Sequence, residues 1–211
     1  MTSAGSGAGI PLAQRGGEWR FDSGRICLDL VATSPEAPRS PAAAQEPLAD
    51  TGRLEHWLVG AGLVPAGTRL GCVDGIWVSR FVELRDCVAQ LVRAELDGRS
   101  AESALERLNT IAAGPPPRIR AVRDQHGALV RALCTAPDCG ALLAAVARDA
   151  VELLTDPADR SRLRQCEGDN CRRVYLDTSR GRRRRWCSSE VCGNRERVAR
   201  HRRRTAAAAG A

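Results

Sequence analysis

Near the end of this 211-residue chain, four cysteines fall in two equally spaced pairs, Cys166-x4-Cys171 and Cys187-x4-Cys192. Fifteen residues separate the pairs. Four thiolates match the tetrahedral preference of a structural zinc ion, and equal spacing about a hairpin-sized insert is far more specific than one pair alone. The segment has few apolar residues, too few to fold unaided. A metal supplying about 10–16 kcal/mol would then stand in for its core. The densest positive charge of the molecule surrounds these cysteines. Arg182, Arg183, Arg184 and Arg185 lie between the pairs, and Asn194, Arg195, Arg197, Arg200, Arg202 and Arg203 follow them. Arginines rooted at a metal site keep fixed directions, as binding to a phosphate backbone requires.

Other groups carry weaker signals. Tyr175 and Trp186 can pack over the metal site or stack on unpaired bases. Asn194 can cap the last helix or meet an adenine edge in a major groove. Cys134-x4-Cys139 repeats the spacing but lacks a matching second pair, and reads as buried apolar thiols. Asp22, Arg25 and Asp29 read as an ion-pair cluster. No Ser/His/Asp, Cys/His or paired-carboxylate arrangement is legible, and the three histidines, His56, His126 and His201, are dispersed. The chain does not read as an enzyme.

Charge is distributed unevenly. Residues 160–211 hold 16 arginines against 5 acidic residues, whereas residues 1–159 hold 16 against 20. The nucleic-acid inference therefore belongs to the tail alone. The first residues lack the basic and apolar regions of a signal peptide, and no apolar run approaches a membrane span. Nine cysteines without a secretory signal point to a reducing, cytoplasmic setting, in which paired cysteines hold metal.

Elements upstream of the cysteines must position them. Residues 1–18 are rich in Gly, Ala and Ser and read as disordered. Helical spacing recurs in residues 19–33, and a proline-rich loop covers 34–47. Asp50 or Thr51 caps a short helix through Trp57 and Leu58. The longest helix spans about 75–97, with Trp77, Phe81, Leu84, Val88, Leu91 and Val92 as its stripe and Gly98 as its stop. Ser100 caps the next helix, which ends at Gly114. Residues 118–133 alternate as a β-hairpin, and a further helix covers about 137–155. Within the cysteine module, residues 173–176 form a strand, residues 182–186 return, and a helix from Gly193 to Arg204 carries a Glu196–Arg200 pair. The fold class is mainly α with small β elements (α+β): a helical domain over 19–158 with one hairpin, a treble-clef-like four-cysteine finger over 162–204, and a disordered tail over 205–211.

The stretch CEGDNCRRVYLDTSRGRRRRWCSSEVCGNRERVARHRRR resembles the CGNR zinc finger, whose name is Cys192-Gly193-Asn194-Arg195. The family's Asp-x-Ser-x4-Arg-Arg-Trp-Cys core matches Asp177, Ser179, Arg184, Arg185, Trp186 and Cys187. The preceding part resembles the mainly helical ABATE domain, by its Gly-Arg-x-Cys-Leu-Asp opening at Gly24–Asp29, its Trp57-Leu58 helix and its Leu108-Asn109 step. The resemblance covers about residues 19–204 and implies a stress-induced transcription regulator. No ligand of the helical domain carries over onto named residues.

The expected function is zinc-dependent duplex DNA binding, with the helical domain sensing a signal or forming a homodimer. RNA binding and a zinc-thiolate redox switch are the alternatives.

Overall fold

A computed structural model of the chain describes residues 19–35, 46–168 and 171–209. The expected disorder of residues 1–18 and most of the proline-rich loop lie outside the described residues.

Four aspartates set helix starts in the larger part of the chain. Asp50 accepts from the Arg53 N–H at 2.8 Å and opens α2 (Thr51–Gly60). Asp74 accepts from Trp77 and opens α3 (Gly75–Leu96), and Asp138 accepts from Ala141 and opens a helix over Cys139–Thr155. Asp156, with Pro157 at the first helical position, opens a short helix over Pro157–Arg160. Each such cap satisfies an N–H that the helix leaves orphaned. α1 is short, Ile26–Val31. α4 (Glu102–Ala112) follows Ala101 with no side-chain cap, so Ser100 does not do the capping that its position predicts. We number Cys139–Thr155 as α5 and Pro157–Arg160 as α6.

α3 ends as its sequence predicts. Gly98 takes φ +63°, its N–H meets the Glu95 carbonyl, and the Arg99 N–H meets the Ala94 carbonyl at 2.8 Å. This is a Schellman closure. The core lies where α1, α2, α4 and α5 pack around α3, with Leu28, Leu30, Trp57, Leu58, Phe81 and Leu84 among its fully buried side chains. β1 (Ile119–Arg123) and β2 (Leu129–Leu133) form the expected antiparallel hairpin, Ile119 facing Leu133 and Arg123 facing Leu129. Asp124 tightens its turn by accepting from the N–H groups of His126 and Ala128.

The second hairpin differs from expectation. β4 (Val174–Leu176) forms as predicted, but its partner is β3 (Leu163–Gln165), upstream of the first cysteine. Residues 182–186 return without strand pairing, held by the Glu167 N–H on the Arg185 carbonyl at 2.9 Å. Leu163, Val174 and Leu176 point into the same core as the helices. The finger is thus rooted in the helical body by its own hairpin. A single π-helical turn, Ser189–Gly193, leads into α7, Asn194–Ala209, which runs past Arg204. Among the described residues, no helix is long and apolar enough to cross a membrane.

Candidate metal centre and basic surface

β3 delivers Cys166, the loop before β4 delivers Cys171, the irregular return delivers Cys187, and the π turn delivers Cys192. Their four sulfurs lie within 4.8 Å of one another. Cys187 Sγ stands 3.8 Å from Cys171 Sγ and 3.6 Å from Cys192 Sγ. A tetrahedral zinc with sulfurs at about 2.3 Å requires about 3.8 Å between sulfurs, so the donor set fits one zinc ion. The Cys187 N–H donates to Cys166 Sγ at 3.3 Å, the contact that steadies a thiolate ligand. Hydrogen bonding from Cys187 lowers the Cys171 thiol to about 5, whereas that same contact, with burial, pushes Cys187 up. Burial raises Cys192 to about 11. Four thiolates packed this closely repel one another and need a cation among them. Cys134 and Cys139 belong to no second ligand cluster among the described residues.

A polar hub carries the return to Cys187. Asp177, fully buried, accepts from the Ser179 N–H and hydroxyl through Oδ1 and from the Arg184 N–H through Oδ2 at 3.0 Å. Burial pushes its carboxyl up, but these hydrogen bonds outweigh it and hold Asp177 below the ordinary carboxylate value. Arg184 then turns inward. Its guanidinium lies 4.6 Å from the Tyr175 ring centre and donates to the Trp186 and Cys187 carbonyls. The Tyr175 hydroxyl donates to the Arg184 carbonyl at 2.6 Å. Tyr175 is fully buried against the cysteine cluster, and Trp186 packs beside it half-buried. Packing, not stacking on a base, is thus the role of Tyr175.

The remaining predicted contact residues are placed as follows. Arg182 and Arg183 are exposed, Arg182 with φ +49° at the tip of the loop. Arg185 is exposed, pairs with Glu167 at 2.6 Å and covers the Trp186 ring. Asn194 is the first residue of α7 and does not cap the turn. Ser188 does that, accepting from the N–H groups of Glu190 and Val191. Asn194 Oδ1 instead accepts from Arg197. Arg195, Arg200 and Arg202 are exposed on α7. Arg203 pairs with Glu196 at 3.8 Å, in place of the expected Glu196–Arg200 pair. The π turn is the main packing partner of α7, and Val198 is half exposed.

Sequence reasoning missed Arg173. Its guanidinium donates to Ser23 Oγ at 2.9 and 3.1 Å, to the Arg20 carbonyl, and pairs with Asp22 at 2.7 Å. The Leu176 N–H donates to the Ser23 carbonyl at 2.8 Å. Asp22, Arg25 and Asp29 do not pair with one another. Arg25 reaches Asp149, Glu152 and Asp159, and Asp29 accepts from the Ser23 N–H. An arginine in a basic run carries no mark that separates a strut from a contact, so this tie was not legible.

Comparison with known proteins agrees with this architecture. Residues 24–157 match the ABATE family, described as "Putative stress-induced transcription regulator", and residues 162–205 match the CGNR zinc finger. No curated protein matches the chain. The ABATE match alone spans more than half of the sequence and ends just before the metal-bearing hairpin begins, so the chain belongs to the ABATE family and carries a CGNR zinc finger after that domain.

Proposed function

We propose that this protein is a zinc-dependent regulator whose finger binds duplex DNA and whose helical domain senses a signal or forms a homodimer. The observation that carries this reading is the exposure of Arg182, Arg183, Arg195, Arg200 and Arg202 on one metal-organised unit. A helix with so little packing of its own suits insertion into a major groove, with arginines meeting the phosphates on either side. Arg185, Arg197 and Arg203 stay exposed and can exchange their present partners for phosphate. Arg184 supports the surface from within. About six phosphate contacts would make affinity fall with salt at a log–log slope of roughly −5.

The test is selection of bound sequences from a random duplex pool by the zinc-loaded full chain, followed by competition with structured RNA at matched salt. Enrichment of a short motif, with duplex retained over RNA, is the expected result. A pool that stays random, or RNA that displaces the duplex, overturns the reading.

A further inference from the structure

Between the end of α1, the last turn of α3 and the finger lies a cleft of about 360 Å³, a volume that takes in the space beside Cys171, Cys187 and Cys192 where the metal would sit. Five arginines line it, Arg20, Arg93, Arg172, Arg173 and Arg195, and no carboxylate of the described residues does. Two are neutralised. Arg20 pairs with Asp22, and Arg173 pairs with Asp22 at 2.7 Å and Asp29 at 3.8 Å. Arg93, Arg172 and Arg195 make no ion pair among the described residues.

A zinc tetrathiolate carries two negative charges and draws cations, and Cys171, Cys187 and Cys192 form one wall of the cleft. That accounts for arginines adjacent to the ligands in sequence, Arg172 and Arg195. It does not account for Arg93, which comes from α3 of the helical body. A place in the last turn of α3 suits a cation, but the helix dipole does not require that it line a cleft together with two more guanidinium groups. Arg93 therefore adds a cation beyond those that the zinc thiolates draw, and a bound anion would offset it. Val31, Ala32 and Pro35 give the cleft an apolar wall on the side of the helical body.

We propose that this cleft binds a small organic phosphate monoester, its phosphate held by Arg93, Arg172 and Arg195 and its organic part against the apolar wall. A terminal phosphate offers three acceptor oxygens, enough to meet three guanidinium groups at once, whereas a carboxylate offers two. The site needs the zinc-ordered finger but not the DNA-binding reading. A phosphate of a nucleic-acid backbone shares this chemistry, so the experiment must separate the two sources.

The probes are phenyl phosphate and inorganic phosphate, titrated calorimetrically into the zinc-loaded full chain at physiological salt, with zinc content measured on the same samples. Expected is saturable binding of one phenyl phosphate per chain, tighter than inorganic phosphate. Arg93→Gln should weaken it about tenfold or more, and Arg183→Gln, away from the cleft, should leave it unchanged. Arg93 is exposed, so its loss should spare the fold; Arg172→Gln gives the same reading independently. Duplex affinity should be unchanged in Arg93→Gln. No saturable binding by metal-replete protein overturns the proposal. Equal losses in Arg93→Gln and Arg183→Gln overturn it in favour of a diffuse polycation. Weakened duplex binding in Arg93→Gln, with phenyl phosphate unaffected, assigns the cleft to backbone phosphate and equally overturns it. Loss of zinc would show as metal content and so count against the finger, not the cleft.

Discussion

Gly24 meets Leu176 where the helical body joins the finger. Gly24 has φ +92°, and a Cβ added there would stand 3.0 Å from Leu176 Cβ. Two constraints converge on one position: a backbone conformation that L side chains avoid, and a contact that would hold a methyl group tightly against Leu176. Gly24→Ala should lower the stability of the full chain by about 1–3 kcal/mol. Chemical denaturation checks this, and a midpoint equal to that of the parent would show that the junction is slack.

Because Val174 and Leu176 share the core of the helices, the metal should stabilise more than the finger. Stripping zinc with a strong chelator should remove order from the cysteine module and also lower the melting midpoint of the helical circular dichroism signal. The shared hairpin transmits part of the ~10–16 kcal/mol that such a site can supply. A helical signal that melts identically with and without metal would mean that the two parts are energetically independent.

Neighbouring arginines should separate by role. Arg184→Ala removes two hydrogen bonds to carbonyls and the contact over Tyr175, and should cost about 2–4 kcal/mol and weaken zinc retention. Arg183→Ala should leave stability within roughly 0.5 kcal/mol and make the salt dependence of duplex binding shallower by about one unit of slope. Melting curves and zinc content read the first variant, salt titrations of binding the second. The reverse pattern would exchange strut and contact.

Glu46 and Arg85 give a pH signature away from the metal. Burial alone would raise the Glu46 carboxyl, but the Arg85 guanidinium and the Leu48 N–H outweigh it and hold Glu46 below its ordinary 4.5. Folded Glu46 therefore binds fewer protons than unfolded Glu46 near that pH, so stability rises with pH there. Its contribution is full above 4.5 and is lost as pH falls through the depressed value. Glu46→Gln should cost about 1–2 kcal/mol at neutral pH, a figure discounted for the partial exposure of the carboxylate. The gap between parent and variant should close in acid. Parallel stability curves across pH 3–7 would contradict the assignment.

Much of the fold was written in local chemistry. Asp50, Asp74 and Asp138 each precede an apolar stripe, and Gly98 stops the longest one, so helix positions follow from capping and periodicity. The clustering of Cys166, Cys171, Cys187 and Cys192 was legible because equally spaced thiol pairs suit one metal ion. β3 was not, since three residues, Leu163–Gln165, with an arginine at their centre have no period to read. Arg173 and Arg184 were equally opaque. Their inward direction is set by Ser23 and Tyr175, residues distant in sequence or hidden by the run of like charges around them. The Ser100 cap failed because Ser100 lies one residue before the N-cap position, Ala101.

The most direct measurement is fluorescence anisotropy of a labelled duplex titrated with the zinc-loaded full chain and, separately, with Cys187→Ser, across a range of salt. The account predicts one zinc per parent chain, loss of metal in the variant, and affinity at physiological salt that falls about tenfold or more when the arginines lose their fixed arrangement. Parent and variant binding the duplex equally, despite loss of the metal, would contradict it.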